Sequence, residues 1–232
     1  MALKYIYFDL DNTLLDHSKA ESKSHEAIYN DFEVLRAVSL NSWLTSYKSV
    51  NHKLWVQYQD GDIGRDQLQY SRFFNTMTEL GLESDESEEI GSAYMHKYRD
   101  YWEWIDQAEE TLKVISQNFD VGIITNGFKE TQQMKFEKLA LDAYTRQLII
   151  SEDLGVLKPH PKIFDYATEL AGVSREEILY VGDSYSSDVI GGVNAGWKTA
   201  WYTGFATDAK AEIQPDFMFD DFSDLQRFLK LA

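Results

Sequence analysis

The chain contains no cysteine. Disulfides and thiolate zinc sites are therefore excluded together. Positive charge is scarce: 22 Lys and Arg stand against 39 Asp and Glu, a net charge of −17. Such a surface repels phosphate backbones, so neither a nucleic-acid polymer nor an anionic membrane is an expected partner. A small anionic substrate would need cations and amide donors gathered locally in a pocket. No stretch approaches the roughly 18 apolar residues that a membrane helix needs. The N-terminus runs directly into a strand, with no basic leader and apolar run before it. A cytoplasmic protein, monomer or homodimer, is the expectation. What is present is ordinary for a globular chain, with 44% hydrophobic and 26% charged residues. At 232 residues it can form one large domain, or a core carrying a smaller insert.

Two patterns divide the chain. Residues 4–10 read as a buried strand of aromatic and β-branched residues. From Leu14 to about Trp104 the apolar residues recur at helical spacing, over 18–37, 41–58, 65–80 and 84–102, with Gly61, Gly64 and Gly81 as punctuation. After Ile105 helix and strand alternate. Helices are expected over 108–117, 130–139, 162–171 and 188–195, and strands over 121–125, 147–150, 178–182 and 198–202. A short edge strand at 217–219 precedes a C-terminal helix. Repeated strand–helix units imply a parallel sheet covered on both faces. The fold class is thus α/β: a doubly wound, Rossmann-like core of residues 1–15 and 105–232, interrupted by an all-helical cap of residues 16–104.

In such a sheet, functional side chains collect in the loops at the carboxyl ends of the strands. Four clusters fall there. Asp9 and Asp11 stand two positions apart where the first strand ends, and two such carboxylates are costly unless a cation lies between them. Mg²⁺ suits that place because it prefers carboxylate and carbonyl oxygens and leaves room for a phosphate. A carboxylate so held can itself act as a nucleophile. Thr125-Asn126-Gly127 offers a hydroxyl, an amide and a glycine-freed backbone as donors to phosphate oxygens. Lys158 supplies a fixed positive charge. Asp183 and Asp188 add oxygen ligands, or anchors for those ligands. Each cluster alone is an ordinary turn or helix cap. Four of them at strand ends, in this order, point to phosphoryl transfer.

Asp9-Leu10-Asp11-Asn12-Thr13, Thr125-Asn126-Gly127, Lys158-Pro159 and the run from Gly182-Asp183-Ser184 to Ser187-Asp188 resemble the four motifs of the haloacid dehalogenase-like (HAD) phosphatases. The helical insert resembles their C1 cap. Residues 54–61, 122–128, 150–156 and 191–196 are similar to bacterial pyrimidine 5′-nucleotidases of that superfamily. The resemblance implies an aspartyl-phosphate on Asp9, with Asp11 protonating the leaving group and then activating water. Asp11, beside a second carboxylate, would be helped to hold a proton. It further implies phosphate binding by Thr125, Asn126 and Lys158. Mg²⁺ would be held by a side-chain oxygen of Asp9, the backbone carbonyl of Asp11 and Asp183, with Asp188 orienting that shell. The expected substrate is a pyrimidine nucleoside 5′-monophosphate. Within the same fold a sugar-phosphate or phosphoglycolate phosphatase stands as the alternative. A haloacid dehalogenase or an inactive binding module stands further off, since neither needs Asp11 and Asp183 together. A phosphonate hydrolase would need an extra cap lysine, and none of Lys19, Lys23, Lys48 and Lys53 stands out. One departure is visible: the return from cap to core reads Trp104-Ile105-Asp106-Gln107-Ala108, where the superfamily usually carries a Pro-Gly turn. Trp43, Tyr47, Trp55, Tyr58, Tyr70, Phe73 and Phe74 are either a stacking platform for a base or packing for the cap's own interior. His17 lies just past the first motif.

Overall fold

A computed structural model of the chain describes residues 2–206 and 212–231. It divides into an α/β unit, residues 1–16 and 103–232, and a helical unit, residues 17–102.

The α/β unit is built on six parallel strands: β1 (Tyr5–Phe8), β2 (Asp120–Thr125), β3 (Gln147–Ile150), β4 (Ile178–Gly182), β5 (Lys198–Tyr202) and β6 (Phe217–Phe219). Their spatial order is β3-β2-β1-β4-β5-β6. β1 and β4 are buried along their whole length, as strands covered on both faces must be. Side chains of β1 alternate between two cores. Ile6 and Phe8 pack with Leu112 and Ile115, while Tyr5 and Tyr7 pack with Ile163, Phe164 and Trp197. The buried Tyr7 hydroxyl donates to the Ala167 carbonyl at 2.8 Å, which is what lets a tyrosine fill a core position. Because β1 pairs with β2 on one side and β4 on the other, the chain order reverses at β1. A crevice opens beyond the carboxyl ends at such a point.

Helices α1 (His17–Asp31), α2 (Leu40–Asp60), α3 (Arg65–Glu79) and α4 (Ser87–Asp100) form the helical unit. Among the described residues, none of the chain's helices is long and apolar enough to cross a membrane. The reading of one helix over 18–37 needs correction. α1 stops at Asp31, Phe32 is extended (φ −108°, ψ 119°), and a 3-10 turn spans Glu33–Ala37. Asn30 and Asp31 are weak helix formers. The break swings Leu35 into complete burial, and the Tyr29 hydroxyl ties it by donating to the Val38 carbonyl at 2.8 Å. Of the seven aromatics in question, Trp43, Tyr47 and Phe73 fill the unit's interior. Tyr70 is exposed and stacks on Phe74 at 5.3 Å, and the half-buried Trp55 and Tyr58 meet edge to face.

The helical interior also encloses His25, which is fully buried. Its Nδ1 accepts from the Trp43 indole at 3.1 Å, so the ring proton sits on Nε2. Burial, with the nearby Arg72 and Lys48 charges, pushes the imidazole down to about 3. An unfolded histidine binds its proton near 6.5. Between those values the unfolded state holds the extra proton, so stability is expected to fall as pH drops from about 6.5 toward 3. The loss is on the order of a few kcal/mol. Urea midpoints at pH 7, 5.5 and 4 check this. The slope should flatten in His25→Gln, and an unchanged slope in that variant would count against the assignment.

The two passages between units are paired inside the α/β unit. Leu15 bridges both Asp11 and Trp104, and the Asp16 N–H donates to the Glu103 carbonyl at 3.1 Å. At the returning turn Gln107 adopts φ +63°, a left-handed backbone. The turn where Pro-Gly is usual thus places a non-glycine residue in glycine's conformation, ahead of α5 (Ala108–Ser116).

Candidate active site at the carboxyl ends of the strands

β1 delivers Asp9 one residue past its end, where the Asp9 N–H continues the ladder to the Val181 carbonyl at 2.8 Å. β4 delivers Asp183 one residue past its own end. Asp188 follows on a π-type turn, Tyr185–Val189, which leads into the short α9 (Ile190–Asn194); the expected helix over 188–195 is therefore shorter and begins irregularly. Gly182 is required here, since a Cβ on it would lie 2.3 Å from the Asp188 carboxylate. Oxygens of Asp9, Asp183 and Asp188 all lie within 4.8 Å of one another.

Lys158 enters from the loop before α8 (Pro161–Ala171), where the Lys158–Pro159 peptide bond is cis. Its buried ammonium lies 2.6 Å from Asp9, 2.8 Å from Asp188, 2.7 Å from the Tyr180 hydroxyl and 3.0 Å from the Ile124 carbonyl. Burial alone would lower this lysine, but Asp188 and Asp9 outweigh it and hold the ammonium charged. Burial pushes the Asp9 carboxyl up against the downward pull of Lys158, and Asp188 adds to the rise. Burial also raises Asp183, reinforced by Asp9 and Asp188. Three carboxylates with one ammonium leave the cluster short of positive charge.

The strand-end loops are held by their own hydrogen bonds. Thr13 is fully buried; its hydroxyl accepts the Asp183 N–H at 2.9 Å and lies 3.3 Å from the Asp183 carboxylate. The Ser184 N–H donates to Asp188 at 3.0 Å, and the Trp201 indole donates to the Asp183 carbonyl at 2.8 Å. After β2, Thr125 is buried and its hydroxyl accepts from the Gly127 N–H at 3.2 Å. The Asn126 side chain is turned to the Lys158 loop: it accepts the Lys158 N–H at 2.7 Å and donates to the Lys158 carbonyl at 3.0 Å. Ser151, opening the four-residue α7 (Ser151–Leu154), donates to Asn126 at 2.5 Å.

Asp11 is not one of the three carboxylates grouped within 4.8 Å, although its charge still acts on Asp9. Its side chain pairs with the Lys135 ammonium and accepts from the Gln132 amide at 2.8 Å, both on α6 (Lys129–Lys138). The sequence reading set Asp11 beside a second carboxylate, a neighbourhood that the effect of its charge on Asp9 reflects; the structure adds a cation, Lys135, against it. Lys135 and Gln132 were not singled out from the sequence. No sequence signal marked them: α6 is inverted, burying Gln132 and Lys135 while Met134 is exposed.

The model of a family described as haloacid dehalogenase-like hydrolase matches residues 6–202. The pyrimidine 5′-nucleotidase YjjG of Escherichia coli (strain K12) is 34% identical over 237 residues, covering 99% of each chain. The pyrimidine 5′-nucleotidase PynA of Streptococcus pneumoniae (strain ATCC BAA-255 / R6) is 29% identical over 234 residues, 97% of this chain and 94% of its own. Among solved structures, the HAD-hydrolase YfnB of Bacillus subtilis, bound to magnesium, aligns with a TM-score of 0.85 at 28% identity over 99% of each chain.

Proposed function

The chain belongs to the haloacid dehalogenase-like hydrolase family, and on that premise we propose that it is a Mg²⁺-dependent phosphatase of pyrimidine nucleoside 5′-monophosphates acting through an aspartyl-phosphate. The observation that carries this reading is the Asp9 carboxylate, buried at a strand end, 2.6 Å from the Lys158 ammonium and grouped with Asp183 and Asp188.

The donor set fits Mg²⁺. Three hard carboxylate oxygens against one ammonium fall two positive charges short of balance, and one divalent cation supplies two. Asp9, Asp183 and the backbone carbonyl of Asp11 would hold it, with Asp188 orienting the shell. When bound, the ion shields the phosphoryl oxygens and the carboxylates from one another.

The chain's own residues then divide the work. Asp9 attacks phosphorus as the P–O bond to the leaving alcohol breaks. The proton that alcohol needs comes from the Asp11 carboxyl. In the second half, water attacks the phosphorus, its proton passes to Asp11, and the bond from phosphorus to Asp9 breaks, releasing inorganic phosphate. Lys158 holds Asp9 in its attacking orientation and offsets phosphoryl charge. The Thr125 hydroxyl and the Asn126 backbone amide receive the phosphate oxygens. The Asn126 side chain serves by fixing the Lys158 loop.

These groups recognise only phosphate and cation, so discrimination among leaving groups is assigned to the helical insert. The pyrimidine reading rests on the names of the relatives YjjG and PynA and on the similarity of residues 54–61. Assay of UMP, dUMP, dTMP, purine nucleotides, hexose phosphates and phosphoglycolate with Mg²⁺, and after EDTA, tests it. The expected result is the highest kcat/KM on pyrimidine nucleotides and silence after chelation. Preference for a sugar phosphate would keep the phosphatase and remove the nucleotidase; activity surviving thorough chelation would remove the metal.

A further inference from the structure

We propose that Lys135 and Gln132 are positioning residues for the proton-transfer steps of Asp11. The inference rests on the phosphatase reading above and extends it to a helix outside the four motifs.

Burying a lysine costs several kcal/mol unless a counter-charge meets it. Yet Lys135 is 1% exposed, 124 positions along the chain from Asp11, and its ammonium pairs with one oxygen of the Asp11 carboxylate. Gln132 is 2% exposed and its amide reaches the other oxygen at 2.8 Å. Residues three apart lie on one face of a helix, so α6 presents a two-pronged clamp with one donor for each oxygen. The fold makes room for it: a Cβ on Gly127 would lie 1.7 Å from the Gln132 amide. Gly127 therefore serves the clamp as well as the turn.

The consequence is geometric. Asp11 sits in a loop where Asn12 takes a left-handed backbone (φ +60°), and its side chain is one-quarter exposed. A carboxyl so placed has several rotamers open to it, and proton transfer succeeds only within hydrogen-bond reach of the leaving oxygen or of water. Two buried donors on a rigid helix select one orientation. Asp9 is meanwhile held by a different cation, Lys158.

Leaving-group chemistry tests this. A nucleoside alkoxide must be protonated as it departs, whereas 4-nitrophenolate leaves without a proton. Hydrolysis of the aspartyl-phosphate needs Asp11 as base with either substrate. Lys135→Met is expected to lower kcat on UMP by on the order of 100-fold, with KM within about threefold of the wild type. With 4-nitrophenyl phosphate, stopped flow should show a burst near one equivalent of nitrophenolate followed by slow turnover. Lys135→Arg should restore kcat to within about tenfold. In the Asp11→Asn background the Met substitution should add less than about twofold, since its effect passes through Asp11. A Lys135→Met enzyme within twofold of wild-type kcat would overturn the inference. So would equal loss on both substrates with no burst and no rescue by Arg, which marks a merely structural lysine. If thermal melting shows that Lys135→Met does not fold, Gln132→Leu carries the test: the same burst with a smaller loss supports the clamp, and an unchanged kcat overturns it. An inactive wild type overturns the phosphatase reading itself, and this inference with it.

Discussion

Asp9→Asn is expected to give a folded protein whose phosphatase activity is lower by on the order of 10⁴-fold or more, the scale on which loss of a nucleophile acts. The amide matches the carboxylate in shape but cannot attack phosphorus. The fold should tolerate it. Lys158 retains Asp188, the Tyr180 hydroxyl and the Ile124 carbonyl, and one charge leaves a crowded group of three carboxylates. Metal-free stability should therefore stay level or rise by up to about 1 kcal/mol, because repulsion among buried like charges is relieved. Urea denaturation in EDTA reads the stability; steady-state assay with Mg²⁺ reads the activity. Residual turnover above about one per cent of wild type in rigorously purified protein would remove Asp9 from the nucleophile's role.

Removing the cation from the same pair should act in the opposite direction on stability. Lys158→Met leaves Asp9 and Asp188 buried, within a cluster that also includes Asp183, with no ammonium among them. Breaking a buried ion pair from one side costs about 3–5 kcal/mol, most of it the price of the uncompensated charge. Phosphatase activity should vanish as well, since neither the orientation of Asp9 nor the charge on the phosphate side survives. Added Mg²⁺ should recover part of the lost stability, because a divalent cation binding the folded state raises it by mass action. Urea unfolding of wild type and variant, with and without Mg²⁺, gives both quantities. A variant within about 1 kcal/mol of wild type in the metal-free protein would mean that the carboxylates do not depend on Lys158.

The opposite signs expected at Asp9 and Lys158 follow from three-dimensional charge bookkeeping, which a linear sequence does not contain. What the residue string carries by itself is local. Apolar runs such as Tyr5–Phe8 and Ile178–Gly182 mark buried strands wherever they occur, and spacing near 3.6 marks the helices of the insert. The order of strands and helices then implies a parallel sheet, and a parallel sheet gathers Asp9, Thr125 and Asp183 at one edge. Those positions were legible because each follows its own strand by at most one residue.

Partners were not legible. Lys158 meets Asp9 across 149 positions, and nothing in Lys158-Pro159 says which carboxylates it faces. The amide of Asn126, read as a phosphate donor, also bonds to the Lys158 loop, a contact nothing in Thr125-Asn126-Gly127 announces. Trp43, Tyr47 and Phe73 had the composition of a stacking platform and pack around His25. Nothing in the sequence around Lys135 says that α6 turns it inward onto Asp11. In each case the local chain sets which chemical group is offered and roughly where it emerges. Which group it meets depends on how helices far apart in sequence pack on the sheet, because a hydrogen bond or ion pair is decided over a few ångströms, and only the close-packed interior fixes distances that finely.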